Sequence, residues 1–147
     1  MGEEVQKILF VQEIAENHFE TEGLWCVKVG ENQYVVDNIP FVAKRISLGD
    51  TIEAIFDEED NAFYFEDFVA VSGNTTLRVY FGSVEDIPMV REKIEQFSCE
   101  SEAFLTRNLI AVNVPREVNY LPLKEFLDNG EKKGAWTYEE SCLMHEY

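Results

Sequence analysis

Ser72-Gly73-Asn74-Thr75-Thr76-Leu77-Arg78-Val79-Tyr80-Phe81 decides how the chain divides. Ser72-Gly73-Asn74 is a turn-forming triplet, and the sequence follows different rules on its two sides. Residues 75–81 read as a strand. Ser83 then stands where a helix N-cap belongs, with Asp86 three residues on to close a capping box. Val84, Ile87, Val90, Ile94 and Phe97 step by three or four residues and make one apolar face. Pro88 falls within the first two turns and leaves the start of this helix open. A short strand over residues 99–105 follows, then a strong one over 108–114, ended by Pro115. A second helix is expected from about residue 119 to 133, with Leu123, Phe126 and Leu127 inward. Gly130 weakens its later part, Gly134 reads as the C-cap, and Lys132 and Lys133 suit the negative end of the helix dipole. Residues 135–142 form the last strand. Strand, helix, strand, strand, helix, strand is the order of ferredoxin-like βαββαβ folds.

Upstream of the triplet the signals are those of strands and turns. Runs at 5–14, 24–29, 33–38, 51–56 and 62–71 read as strands, with Gly30-Glu31-Asn32 and Asp57-Glu58-Glu59-Asp60-Asn61 as hairpin turns. Residues 15–22, polar and acidic, read as a loop or a short turn. Residues 39–46 read as a strand that Pro40 interrupts and bends. Short strands at this spacing predict a small, strongly bent antiparallel sheet or barrel. The expected fold is therefore α+β: an acidic all-β half over 1–73 and a ferredoxin-like half over 74–147. The two halves are expected to share one core, because 147 residues make two separate cores costly.

Charge narrows the function. Twelve Lys+Arg against 29 Asp+Glu give a formal net charge of −17. That excludes a plain nucleic-acid binder, which needs a basic surface to displace counterions from phosphates. It also disfavours an anionic membrane surface. No apolar run reaches the roughly 20 residues of a membrane helix. The N-terminus has no signal-peptide pattern, and Gln6 stands where a myristoylation motif at Gly2 needs Ser or Thr. Cys26, Cys99 and Cys142 match no zinc or redox spacing, so they read as reduced thiols of a cytoplasmic protein. Residues 1–73 carry most of the imbalance, which gives that half either solubility or a basic partner.

Motifs for chemistry are scarce. No Gly-rich phosphate loop is present, and no cofactor is expected. His18 and His145 have no ligand spacing, and the acidic tip 57–61 lacks the pattern of a calcium loop, so no metal is expected. Nucleophilic catalysis would have to join His145 to Ser141 or Cys142 at a chain end, where order tends to be lost. An enzyme is therefore the less favoured reading. Phe63 and Phe65 should face one side of their strand and Tyr64 the other, beside Glu66 and Asp67. Asp37 and Asn38 precede Ile39-Pro40 and suit a turn. Arg78 on its strand suits an ion pair with Asp37 or Glu66, or a ligand carboxylate.

Leu24-Trp25, residues 34–41, Ser47-Leu48-Gly49-Asp50, residues 72–78 and residues 134–140, in this order and spacing, resemble the bacterial domain-of-unknown-function family 4265. The resemblance covers about residues 22–145. It implies a compact α+β protein, with no activity and no catalytic residues to carry over. The expected function is that of a non-enzymatic acidic binding protein for a basic protein partner, for instance an immunity protein neutralising a basic toxin such as a nuclease. Asp57, Glu58, Glu59, Asp60, Tyr64, Glu66 and Asp67 are the expected contacts. The alternative is a small-molecule sensor with a ligand between the halves, held by Asp37, Asn38, Thr75 and Arg78.

Overall fold

The computed structural model describes residues 3–146. Gly2, the position of the myristoylation motif, lies outside them. The chain forms two compact units, Met1–Ser72 and Gly73–Tyr147. Among the described residues it is a mixed α+β protein, mostly strand, with two α-helices and a closed five-stranded barrel.

In the first unit β1 (Val5–Ala15), β2 (His18–Gly30), β3 (Gln33–Val36), β4 (Thr51–Asp57) and β5 (Ala62–Ala70) pair in chain order, and β5 closes on β1 in parallel. Closure leaves a small sheet without free edges. Strand alternation sends Ile8, Phe10, Leu24, Cys26, Tyr34, Val36, Ile52 and Ala54 into the interior, with Phe63 and Phe65 packed against them.

Two expectations fail here. Residues 15–22 are no loop: the short turn is confined to their start, where Ala15 pairs with His18 and Asn17 has a φ of 56°, and residues 18–22 already belong to β2. The outer arms of a long hairpin meet water on both faces, so polar residues suit them. Residues 39–46 form no strand; they belong to an irregular connection over 37–50. Main-chain bonds pin its two ends, Asp37 to Trp25 and Gly49 to Val36, and side chains hold the backbone between them. Glu22 accepts three consecutive N–H groups, from Phe41, Val42 and Ala43. Gln12 accepts from Lys44, and Asp50 accepts from Ser47 and Ser72. Ala43 and Ile46 of this connection are buried in the barrel core.

In the second unit β6 (Thr75–Phe81), α1 (Ile87–Gln96), β7 (Glu100–Phe104), β8 (Leu109–Val114), α2 (Leu121–Lys132) and β9 (Trp136–Cys142) build a four-stranded sheet in the order β7-β8-β6-β9. All its neighbouring strands are antiparallel. Ile87, Val90 and Ile94 of α1 and Leu123 and Leu127 of α2 pack in one cluster with Leu77, Val79, Ile110 and Val112 of the sheet. Pro88 settles the start of α1, because it occupies the first turn. The preceding residues, Val84–Asp86, form a 3-10 turn, and Ser83 caps that turn by accepting from Glu85 N–H, where the sequence had suggested a box with Asp86. α2 ends as expected at Gly134, whose φ is 74°. Gly134 N–H donates to Glu131 O at 3.0 Å and Ala135 N–H to Gly130 O at 2.9 Å, the paired bonds of a Schellman ending.

Candidate functional site

The outside of the barrel is unusually apolar for a wet surface. Ile55 pairs with Tyr64, Tyr64 with Leu9, and Leu9 with Gly23. Residues paired across strands share a face, so these four form one row around four strands. Trp25 and Val11 stand on the same face in the rows beside it, paired with Lys7 and Thr21. Ile55, Trp25 and Val11 are each about half exposed, at 48%, 50% and 50%. Gly23 keeps the row low. A Cβ there would meet Lys7 Cε at 2.2 Å, so the Lys7 stem lies across it, and Lys7 Nζ reaches to 6.0 Å from the Trp25 ring centre.

Acids flank this row along β5. Asp57, Glu58, Glu59 and Asp60 are all exposed at the β4–β5 turn, and Glu66 and Asp67 are exposed farther along the strand. The turn is ordered: Asp57 Oδ1 accepts from Asp60 N–H at 3.0 Å, and Asn61 takes a φ of 51°. Tyr64 donates its hydroxyl to Asp60 Oδ2 at 2.8 Å. That bond raises the Tyr64 phenol above its ordinary value and fixes the hydroxyl as a donor. Alternation therefore separates Phe63 and Phe65, which pack on the core, from Tyr64, which joins the outer row.

Leu9, Val11, Trp25 and Ile55 were not singled out from the sequence as site residues. A signal exists for part of the row. Ile8-Leu9-Phe10-Val11 and Ala54-Ile55-Phe56 are unbroken apolar runs, and a strand with both faces apolar loses its alternation.

Asp37, Asn38, Thr75 and Arg78 are distributed over both units and are engaged locally. Asn38 Oδ1 accepts from Trp25 N–H at 2.8 Å, and Asp37 N–H donates to Trp25 O at 2.9 Å. Thr75 Oγ1 accepts from the N–H groups of Met144 and His145, and lies 2.6 Å from His145 Nδ1. His145 Nε2 is 2.9 Å from Pro115 O, so Nε2 carries the hydrogen and Nδ1 accepts from Thr75. His145 is thus anchored where fraying was expected. Arg78 pairs with Glu139 of the neighbouring strand β9 at 3.4 Å.

A second charged cluster ties α2 and the residue before it to β9. Lys124 donates to the Tyr138 hydroxyl at 3.0 Å, Tyr138 donates to Asp128, and Tyr120 donates to Glu140 at 2.8 Å. Burial, then the bond to Asp128, pushes the Tyr138 phenol up to about 12, and the bond to Tyr138 raises Lys124. Among the described residues no group of three or more His, Cys, Asp or Glu side chains could hold a metal ion. No helix of the described residues is long and apolar enough to cross a membrane.

The cysteines form no disulfide. Burial pushes the Cys26 thiol up to about 12 and the Cys99 thiol to about 11. Both thiols resist forming the reactive thiolate. Native protein at about pH 8 should therefore alkylate at half-buried Cys142 well before Cys26 or Cys99, read by mass spectrometry of timed aliquots. Equal rates at the three sites would contradict the assignment. The same shifts make an acid harder to ionise in the folded state. Their stability contribution is complete below the ordinary value of 9.0 and falls as pH rises toward 12.

A crystal structure of a hypothetical protein from Neisseria gonorrhoeae is similar over 99% of this chain and 100% of that one, with a TM-score of 0.82 and 22% identity. At that identity the likeness speaks for the fold. No curated protein matches the chain. The family described as a domain of unknown function (DUF4265) matches residues 22–138, most of the chain, and the chain belongs to that family.

Proposed function

We propose that this is a non-enzymatic binding protein whose barrel docks a basic protein partner. The observation that carries the reading is the outward row of Ile55, Tyr64 and Leu9, with acids on both sides of Tyr64 along the chain. An apolar strip with a charged rim is the composition of a binding surface, and tyrosine is a frequent anchor in one. The net charge of −17 adds attraction at long range and speeds encounter with a basic surface. Neutralisation of a basic toxin, for instance a nuclease in the same cytoplasm, is the concrete form of this role. We read the second unit as ferredoxin-like; the order β7-β8-β6-β9, with a helix after β6 and another after β8, supports that reading.

The test is capture of partners from native cells by the tagged protein at low and high salt. A basic protein should be retained at low salt and released at high salt. Reversing Asp57, Glu58 and Asp60 to Lys should slow its association about tenfold or more, because steering depends on net charge near the contact. Tyr64→Ala should speed its dissociation. Retention that ignores both salt and these substitutions would overturn the proposal.

A further inference from the structure

β7 is an edge strand: it pairs with β8 on one side, and the sheet ends there. A cleft of about 830 Å³ opens between it and α1. The cleft exists because the residues on that side are small, namely Cys99, Ser101 and Ala103, while Ile87 and Leu105 supply apolar walls. Arg91 crosses from α1 and donates to Ser101 twice, to Oγ and to the main-chain O, both at 3.0 Å. That carbonyl therefore faces away from β8. By the two-residue period of a strand, the N–H and C=O of Ala103 lie on the same free edge. Glu92 and Glu95 of α1 stand exposed at the rim of the cleft, and the cation in its lining, Arg91, is held by Ser101.

We propose that β7 accepts an extended peptide segment as an added strand, with an apolar side chain in the cleft and a basic one against the rim glutamates. Strand addition uses main-chain hydrogen bonds for affinity and alternate side-chain pockets for selection. The cleft beside the edge strand meets the second need, and the main-chain groups of Ala103 on that edge meet the first. The rim carries the Glu92 and Glu95 carboxylates, so electrostatic complementarity selects Lys or Arg in the segment and rejects Asp or Glu. This site is separate from the barrel row and can fail alone.

The probe is a labelled peptide of repeated Thr-Val-Thr-Lys, which puts Val and Lys on one face. Two controls replace Lys by Glu, or carry N-methyl groups on alternate amides. The full-length protein should bind the Lys peptide, with slowed amide exchange at Ala103. Glu92→Lys with Glu95→Lys, both at exposed helix positions, should weaken binding roughly tenfold. The Glu peptide and the N-methyl peptide should bind far more weakly, and Tyr64→Ala should change nothing. Equal affinity for the Glu or N-methyl peptide overturns the proposal, as does failure of the Lys peptide to bind. Loss of binding with Tyr64→Ala, while the rim variants stay silent, would assign the peptide to the barrel row and overturn the β7 site.

Discussion

Gly130→Ala should destabilise the protein by about 2–3 kcal/mol, against a helix-propensity gain of about 1 kcal/mol. The reason is Trp136. A Cβ on Gly130 would lie 1.9 Å from Trp136 Cζ2 and 2.1 Å from Cε2. The indole has little room to retreat. Its Nε1–H donates to Leu127 O of the same helix at 3.0 Å. Its ring packs against Phe126 and Phe81, with centres 5.4 and 6.0 Å away. One added methyl therefore pushes α2 off β9 or drives the indole out of its pocket. Overpacking of this kind costs roughly 1–3 kcal/mol, and outright loss of a buried Trp roughly 3–5. The measurement is urea unfolding followed by tryptophan emission. Trp136 is 6% exposed and Trp25 is 50% exposed, so the buried ring dominates the change. A variant as stable as the parent, or more so, would mean that the indole does not rest on Gly130. Read locally, Gly130 is only a weak point in a helix; the cause for it lies six residues on, at the start of β9.

The same contrast between local and distant causes separates what the sequence made legible from what it did not. α1 and α2 were legible because Val84 to Phe97 and Leu123 to Leu127 repeat at the helical period, which is a property of neighbours in the chain. β4 and β5 were legible from their turn and from Phe63-Tyr64-Phe65. Residues 39–46 misled because Ile39, Pro40, Ala43 and Ile46 are buried in an irregular connection. Hydrophobicity reports burial, and burial does not require a strand. The hairpin around Asn17 misled for the opposite reason: both faces of its arms are wet, so no alternation marks them. Of the candidate surface, Tyr64 could be read from its own strand. Its neighbours Ile55 and Leu9 come from other strands through register, which no local pattern encodes. The ion pair of Arg78 with Glu139 depends likewise on β9 lying beside β6.

Glu22→Ala should destabilise the barrel unit by about 3 kcal/mol and loosen residues 37–50, because no other element supplies a ladder there. Glu22 stands opposite Phe10, on the inward face of β2, at the end of the buried stretch. Its Oε2 accepts from Phe41 N–H at 2.7 Å, and its Oε1 from Val42 and Ala43 N–H at 2.9 and 2.8 Å. Three main-chain donors thus converge on one carboxylate, and bonds to a charged acceptor are the stronger kind. Truncation to Ala leaves these donors without that acceptor, in a place only partly open to water. Glu22→Gln keeps one oxygen but turns an NH2 group toward a donor, so its cost should lie between that of the parent and that of Glu22→Ala. Amide exchange at Phe41, Val42 and Ala43 is the direct measurement, with the urea midpoint beside it. Exchange should quicken at all three positions in Glu22→Ala and less in Glu22→Gln. Unchanged exchange would mean that the connection holds itself. The consequence reaches the outer surface. Asn38 of the same connection accepts from Trp25 N–H at 2.8 Å, so loosening residues 37–50 also releases the main chain beneath Trp25. Glu22→Ala should therefore weaken the proposed docking on the barrel without removing any side chain of the row itself.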